Sequence, residues 1–119
     1  MTALMTMIFL HIIADFNLQG MLGDLKQKRW WDKNYPEKKY KRDYIACLLI
    51  HSFSWSYMIL IPISIMNAKV NVTALLVNMI IHAIIDHIKA NKLAISLKAD
   101  QLAHLIQIFV TWWILVGGR

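Results

Sequence analysis

The sequence predicts an all-α protein built as a four-helix transmembrane bundle, and three observations predict it. Hydrophobic residues make up 58% of the 119-residue chain and its mean hydropathy is +0.46, well above the apolar share of a soluble domain. Four apolar segments follow one another, each long enough for a helix. The charge is gathered in one stretch: of the 13 Lys and Arg, Lys26, Lys28, Arg29, Lys33, Lys38, Lys39, Lys41 and Arg42 all fall between Asp24 and Asp43. A chain of this length allows one domain, residues 1–119.

The first span is predicted over about residues 2–22, enough to cross a hydrocarbon core of about 30 Å at 1.5 Å per residue. No basic residue precedes its apolar stretch, so a retained helix is expected rather than a cleaved signal peptide. A basic loop, residues 23–43, follows and is punctuated by Asn34-Tyr35-Pro36. The second span covers about residues 44–66, where Pro62 is expected to kink the helix or mark its last turns. A tight connection, Asn67 to Asn71, leads to the third span, about residues 72–89. A turn around Asn91 and Lys92 leads to the fourth, about residues 97–116, closed by Gly117-Gly118.

Orientation follows from the basic residues. With four spans, the first and third connections share a side and hold the eight basic residues named above plus Lys89, Lys92 and Lys98, against Lys69 and Arg119 opposite. The positive-inside bias then places both termini outside and the basic loop in the cytoplasm, with Trp112 and Trp113 at the outer interface. This is the expectation for a bacterial cytoplasmic (inner) membrane protein. The net charge of +6 and a pI near 9.6 therefore describe mainly one loop. Trp30, Trp31, Tyr35, Tyr40 and Tyr44 stand among its charges, a composition that also suits nucleic acid. The flanking apolar segments favour anionic lipid headgroups as its partner, with no nucleic acid. Cys47 is the only cysteine, which excludes an intrachain disulfide and a Cys-based zinc motif.

Every span carries ionisable side chains, and they form stripes. His11, Asp15 and Gln19 are four apart, as are Asn78, His82 and Asp86; Asp100, His104 and Gln107 follow at four and three, and His51 is followed by Ser54. Counted from each cytoplasmic end, Asp15, His51, His82 and His104 all lie roughly 10 Å into the bilayer. His11 is a turn deeper, and Asp86 and Asp100 a turn shallower. A charged group at the bilayer centre costs about 2.5–3.5 kcal/mol, so the stripes must face the bundle interior.

Three readings compete for such a cluster: a hydrogen-bonded network holding the helices together, a proton or ion path, and a metal site. Imidazoles and carboxylates are the ligand set of zinc and of non-haem iron or manganese, and buried charges are paired or coordinate metals. A divalent metal, zinc foremost, is therefore expected. Asp15, His51, His82 and His104 offer one ligand per helix, with His11 a further candidate and a two-metal site open. Asp86 and Asp100 are the candidate catalytic carboxylates. His87, on another face, is expected to be interfacial.

At these residues the chain resembles a known family. His11-Ile-Ile-Ala-Asp15-Phe16-Asn-Leu18-Gln19, then His51-Ser52, His82-Ala-Ile-Ile-Asp86 and Asp100-Gln101-Leu-Ala-His104 are similar to the bacterial and phage membrane proteins of domain of unknown function 3307. The resemblance covers nearly the whole chain and implies its architecture and site rather than an activity. The basic loop with Trp30-Trp31 departs from the family pattern. A more distant likeness is to inner-membrane metal-dependent hydrolases, and it is an analogy only.

Two functions follow as expectations. One is a membrane-embedded metal-dependent hydrolase of a lipid or lipid-linked (phospho)ester, since no Ser-His-Asp or Cys-His arrangement offers another nucleophile. The other is a non-enzymatic membrane module, such as a homo-oligomeric proton or ion pathway or a subunit of a larger assembly, with a structural metal or a polar network. Ser52 and Ser54 are expected as small packing residues.

Overall fold

The computed structural model describes residues 1–118, which form six α-helices with no strand among the described residues. Helix α1 (Thr2–Ile12) runs directly into a π turn (Ile13–Asn17), and α2 (Leu22–Leu25) and α3 (Lys28–Asn34) follow. After a short 3-10 turn (Lys38–Tyr40) come α4 (Asp43–Asn67), α5 (Val72–Ala90) and α6 (Leu97–Trp112), the last continued by a second π turn (Trp113–Gly117). Three helical stretches, Lys38–Asn67, Val72–Ala90 and Leu97–Gly117, are long and apolar enough to cross a membrane. Arg119, counted above among the outer charges, lies outside the described residues.

The ends of these helices have local causes. Asn71 caps α5 by accepting from the Ala74 N–H at 2.9 Å, and Ser96 caps α6 by accepting from the Ala99 N–H at 3.1 Å. Helix α4 ends in a left-handed residue, Ala68 (φ 54°), with the Lys69 N–H donating to the Ser64 carbonyl at 3.1 Å and the Ala68 N–H to Ile65 at 3.3 Å. That pairing satisfies carbonyls the last turn would otherwise leave open. Pro62 sits inside α4 without ending it; the helix continues five residues to Asn67.

The first predicted span is shorter than expected and is not one of these three stretches. Its helical run stops at Asn17 rather than near Leu22, and at 1.5 Å per residue Thr2–Asn17 covers only about 24 Å. The π turn closes with the Leu18 N–H on the Ile13 carbonyl at 2.9 Å, and Gly20 then takes φ +50°, a conformation that reverses the chain and suits a residue without Cβ. The basic segment is also not a plain loop. Helices α2 and α3 dock on the end of α5, where Asn91 clasps them: its Oδ1 accepts from the Lys28 N–H at 2.6 Å and its Nδ2 donates to the Lys26 carbonyl at 3.0 Å. Trp31 donates to the Leu25 carbonyl at 2.7 Å and packs with Trp30, Tyr35 and Tyr40.

The long helices pack α4 on α5, α1 on α4 and α6, and α5 on α6. Away from the basic end the interior is apolar, built from Met7, Trp55, Ile59, Leu60, Ile63, Leu75 and Ile108. Towards the basic end it is ionic, and His11, His51, His82, Asp86, Asp100 and His104 are all buried. The outer surface of the same helices shows Phe9, Phe53, Ile80, Ile84, Leu105 and Phe109. Ions inside and large apolar side chains outside are the inverse of a water-soluble bundle. Hydrocarbon is the solvent that suits such a surface.

Candidate metal centre

Asp15 enters the site from the π turn, where the extra residue in the turn re-aims its carboxylate inward. His51 comes from the third turn of α4, His82 and Asp86 from successive turns of α5, and Asp100 and His104 from the first turns of α6. Four separate chain segments thus deliver their ionisable side chains to one level.

The contacts are short. His51 Nε2 lies 3.3 Å from Asp15 Oδ1, 3.3 Å from Asp86 Oδ2 and 3.2 Å from His82 Nε2. His82 Nε2 lies 3.5 Å from Asp86 Oδ2 and 3.8 Å from Asp15 Oδ1. On the other side of Asp86, its Oδ1 is 3.3 Å from His104 Nε2, which is itself 3.3 Å from Asp100 Oδ1. Two groups can hold a metal ion, Asp15 with His51 and His82, and His82 with Asp86 and His104; within each, one ligand atom per residue lies within 4.8 Å of the others. His82 belongs to both.

The expected one-per-helix quartet is therefore divided. Asp15, His51 and His82 meet, whereas His104 joins the second group. Asp86, expected a turn shallower than the imidazoles, stands between all three of them. His11 belongs to neither group, although its Nδ1 lies 3.6 Å from Asp15 Oδ2. Trp55 Nε1 donates to His11 Nδ1 at 2.8 Å, which leaves Nε2 to carry the proton and donate to Gln101 Oε1 at 3.0 Å. Gln101 Nε2 in turn donates to Asp100 Oδ2 at 3.0 Å and Asp15 Oδ2 at 3.3 Å. His11 and Gln101 thereby hold both flanking carboxylates in place. His87 lies outside the cluster and stacks on Tyr44. Ser54 is exposed and donates to the Ile50 carbonyl, away from the His51 face; Ser52 and Ser56 are the buried serines of α4.

Several participants carry no sequence signature. Trp55 stacks on His82 with ring centroids 4.1 Å apart, and its spacing of four from His51 was the available clue. Lys26, the residue that closes α2, is buried and its Nζ donates to Asp86 Oδ2 at 2.7 Å and to Gln19 Oε1. Lys89 Nζ reaches Asp100 Oδ2 at 3.4 Å. A second, neutral network lies further along α5 and α6: Gln107 Nε2 donates to Asn78 Oδ1 at 2.8 Å, and Thr111 Oγ1 donates to the same oxygen at 3.0 Å. That clasp joins two helices without ionisable groups.

The cluster does not satisfy itself. Asp15 Oδ1, Asp100 Oδ1, His82 Nδ1 and His104 Nδ1 are buried without a hydrogen-bond partner among the described residues. Buried polar atoms are normally paired, and one N–H on His51 Nε2 cannot serve two carboxylates and a facing imidazole. Of these orphaned atoms Asp15 Oδ1 is the one that faces His51 Nε2 and His82 Nε2, and a cation held among those three atoms would satisfy it.

No curated protein and no solved structure matches the chain. A family model described as "protein of unknown function (DUF3307)" matches residues 3–117. Nearly every residue of the bundle, including all those of the ionic cluster, falls within that match, and the chain belongs to this family.

Proposed function

We propose that the chain is a membrane-embedded metalloprotein whose Asp15, His51, His82 and Asp86 hold a divalent cation, zinc foremost, and that it hydrolyses a lipid or lipid-linked (phospho)ester. One observation carries this reading. Among His51 Nε2, His82 Nε2, Asp15 Oδ1 and Asp86 Oδ2, five separations run from 3.2 to 3.8 Å. Tetrahedral ligands placed about 2.0–2.1 Å from zinc stand about 3.3–3.4 Å apart, so the side chains already have nearly the required spacing. Asp86 takes the fourth position in place of His104, because His104 turns to Asp86 Oδ1 and Asp100.

A divalent cation supplies Lewis acidity and lowers the pKa of bound water. The rest is work for this chain's own groups. His104 Nε2, 3.3 Å from both Asp86 Oδ1 and Asp100 Oδ1, would relay the proton lost by the attacking water to the Asp100 carboxylate, which would return it to the leaving-group oxygen. Trp55 and the apolar interior beyond it exclude water from that side. In this reading α1 is a fourth span, with both termini outside and α2–α3 against the cytoplasmic headgroups of a bacterial inner membrane, as the positive-inside bias of the sequence supports. The short α1 is accommodated by local thinning or by a neighbouring copy in a homo-oligomer.

A second reading has its own support. Lys26 Nζ at 2.7 Å from Asp86 Oδ2 already brings a positive charge into the cluster, as a metal-free polar network or proton path would need. Elemental mass spectrometry on protein purified in detergent, without chelators or a polyhistidine tag, separates the two. One or two zinc, iron or manganese ions per chain uphold the metalloprotein. A folded protein without metal overturns it and leaves the network.

A further inference from the structure

A pocket of about 340 Å³ opens between α2, α3 and the ends of α5 and α6, and it is lined by Gln19, Lys26, Arg29, Lys89 and Leu97 among others. Its lining contains three cations and no carboxylate. Two of those cations touch the ionic cluster directly, Lys26 through Asp86 and Lys89 through Asp100. The third, Arg29, spends one guanidinium N–H on the Ala90 carbonyl at 3.1 Å and makes no ion pair among the described residues. Its remaining donors are in a fork suited to planar or tetrahedral oxyanions. The sequence disperses these residues over the basic segment and the last turn of α5; docking of α2–α3 through Asn91 brings them to one mouth.

We propose that this pocket binds a phosphate group, as a phosphomonoester or phosphodiester, with Arg29 and Lys89 as its principal ligands and Lys26 on the side of the ionic cluster. The proposal rests on the hydrolase reading for its consequence, since it names the substrate class as a phosphoester. The binding itself needs no catalysis. A phosphate oxygen held here is one side chain away from Asp86 and Asp100, because Lys26 and Lys89 each reach from the pocket to one of those carboxylates. The apolar outer faces of α5 and α6 begin at the same mouth, so a lipid carrying the phosphate keeps its chains in hydrocarbon.

The test is binding of short-chain phosphatidic acid, against short-chain diacylglycerol lacking the phosphate, to the full chain in neutral detergent. Wild type should hold phosphatidic acid at least tenfold more tightly. The Arg29→Glu/Lys89→Glu double variant should abolish the preference, while the milder Arg29→Gln reduces it severalfold; thermal unfolding and metal content verify that each variant is folded. Equal binding of the two lipids, or a full preference retained by a folded double variant, overturns the proposal. Competition separates the sources of the phosphate. Displacement by glycerol phosphate and inorganic phosphate assigns a soluble phosphoester, and failure to displace assigns a lipid headgroup; both outcomes uphold the phosphate site. A phosphate preference in protein free of metal keeps this pocket and removes the metalloenzyme reading. Metal without phosphate preference does the reverse.

Discussion

The imidazoles of His82 and His104 lie face to face, with ring centroids 4.2 Å apart and planes inclined by 25°. Trp55 also stacks on His82 with centroids 4.1 Å apart and stands 5.4 Å from His104, so the three rings form a triangle. His82 thus packs against two rings that also approach each other, with its Nε2 in reach of both metal-competent groups. Two stacked imidazoles that both carried protons would repel at close range. The stack therefore disfavours a doubly protonated pair, and a neutral imidazole is the form that binds a metal.

The shared position of His82 separates it from its neighbours. Replacing His82 with Ala should remove essentially all bound metal, because both groups lose a member. His51→Ala should lower affinity for the Asp15 group by well over tenfold, while His104→Ala should leave metal there and suppress proton transfer. Metal per chain by elemental mass spectrometry reads the pattern directly. Full metal content in folded His82→Ala protein would falsify the ligand assignment.

Asp86 and Lys26 form a buried ion pair, 2.7 Å apart. Asp86→Asn strands the ammonium away from water, a loss of about 3–5 kcal/mol for broken buried pairs. Adding Lys26→Met removes the stranded charge and should recover much of that stability without restoring metal. Thermal unfolding in detergent of both single variants and the double completes the cycle. Independent, additive effects would show that the pair is not coupled.

The Asn78–Gln107–Thr111 clasp supplies a control for the purely structural role of polar groups. Gln107→Leu removes two hydrogen bonds between α5 and α6 and should lower stability by about 0.6–1.7 kcal/mol, the scale of such bonds in membranes. Metal content should stay at the wild-type level. Loss of metal here would mean that the two networks are one.

Gly20 takes φ +50° with open space where a Cβ would lie. Gly20→Ala should therefore meet no steric clash and should cost only the backbone strain, about 1 kcal/mol. Unfolding at nearly the wild-type temperature with unchanged metal is the expected result. A collapse of the fold would show that the turn between α1 and α2 tolerates nothing but glycine.

The helices that hydrocarbon selects were readable from the chain, because α4, α5 and α6 are each a long apolar run, with Asn71 and Ser96 capping the last two. Asp15, His51 and His82 could be picked out by depth for the same reason: a rise of 1.5 Å per residue makes sequence position a ruler. The ruler fails where the chain leaves α geometry. The π turn and the left-handed Gly20 ended α1 early, and neither has a strong local signature. It also fails for side-chain reach. Asp86 was placed by its backbone level, yet its carboxylate extends a turn deeper to meet three imidazoles. Lys26, Trp55 and Gln101 escaped because their roles depend on long-range contacts: Lys26 becomes buried only when α2 docks beneath the bundle, and Gln101 acts only opposite His11.

The π turn between Ile13 and Asn17 amounts to one residue more than an α-helix of the same height holds. Excising that residue would let the segment relax to ordinary pitch, and everything before it would screw round by about 100°. His11 would then swing off Trp55 and Gln101 while Asp15 stayed in place, and the amino-terminal helix would turn a different flank to the lipid. The bulge is in effect a phase setting, an inserted tooth that keeps the two ends of one short helix in mesh with different partners.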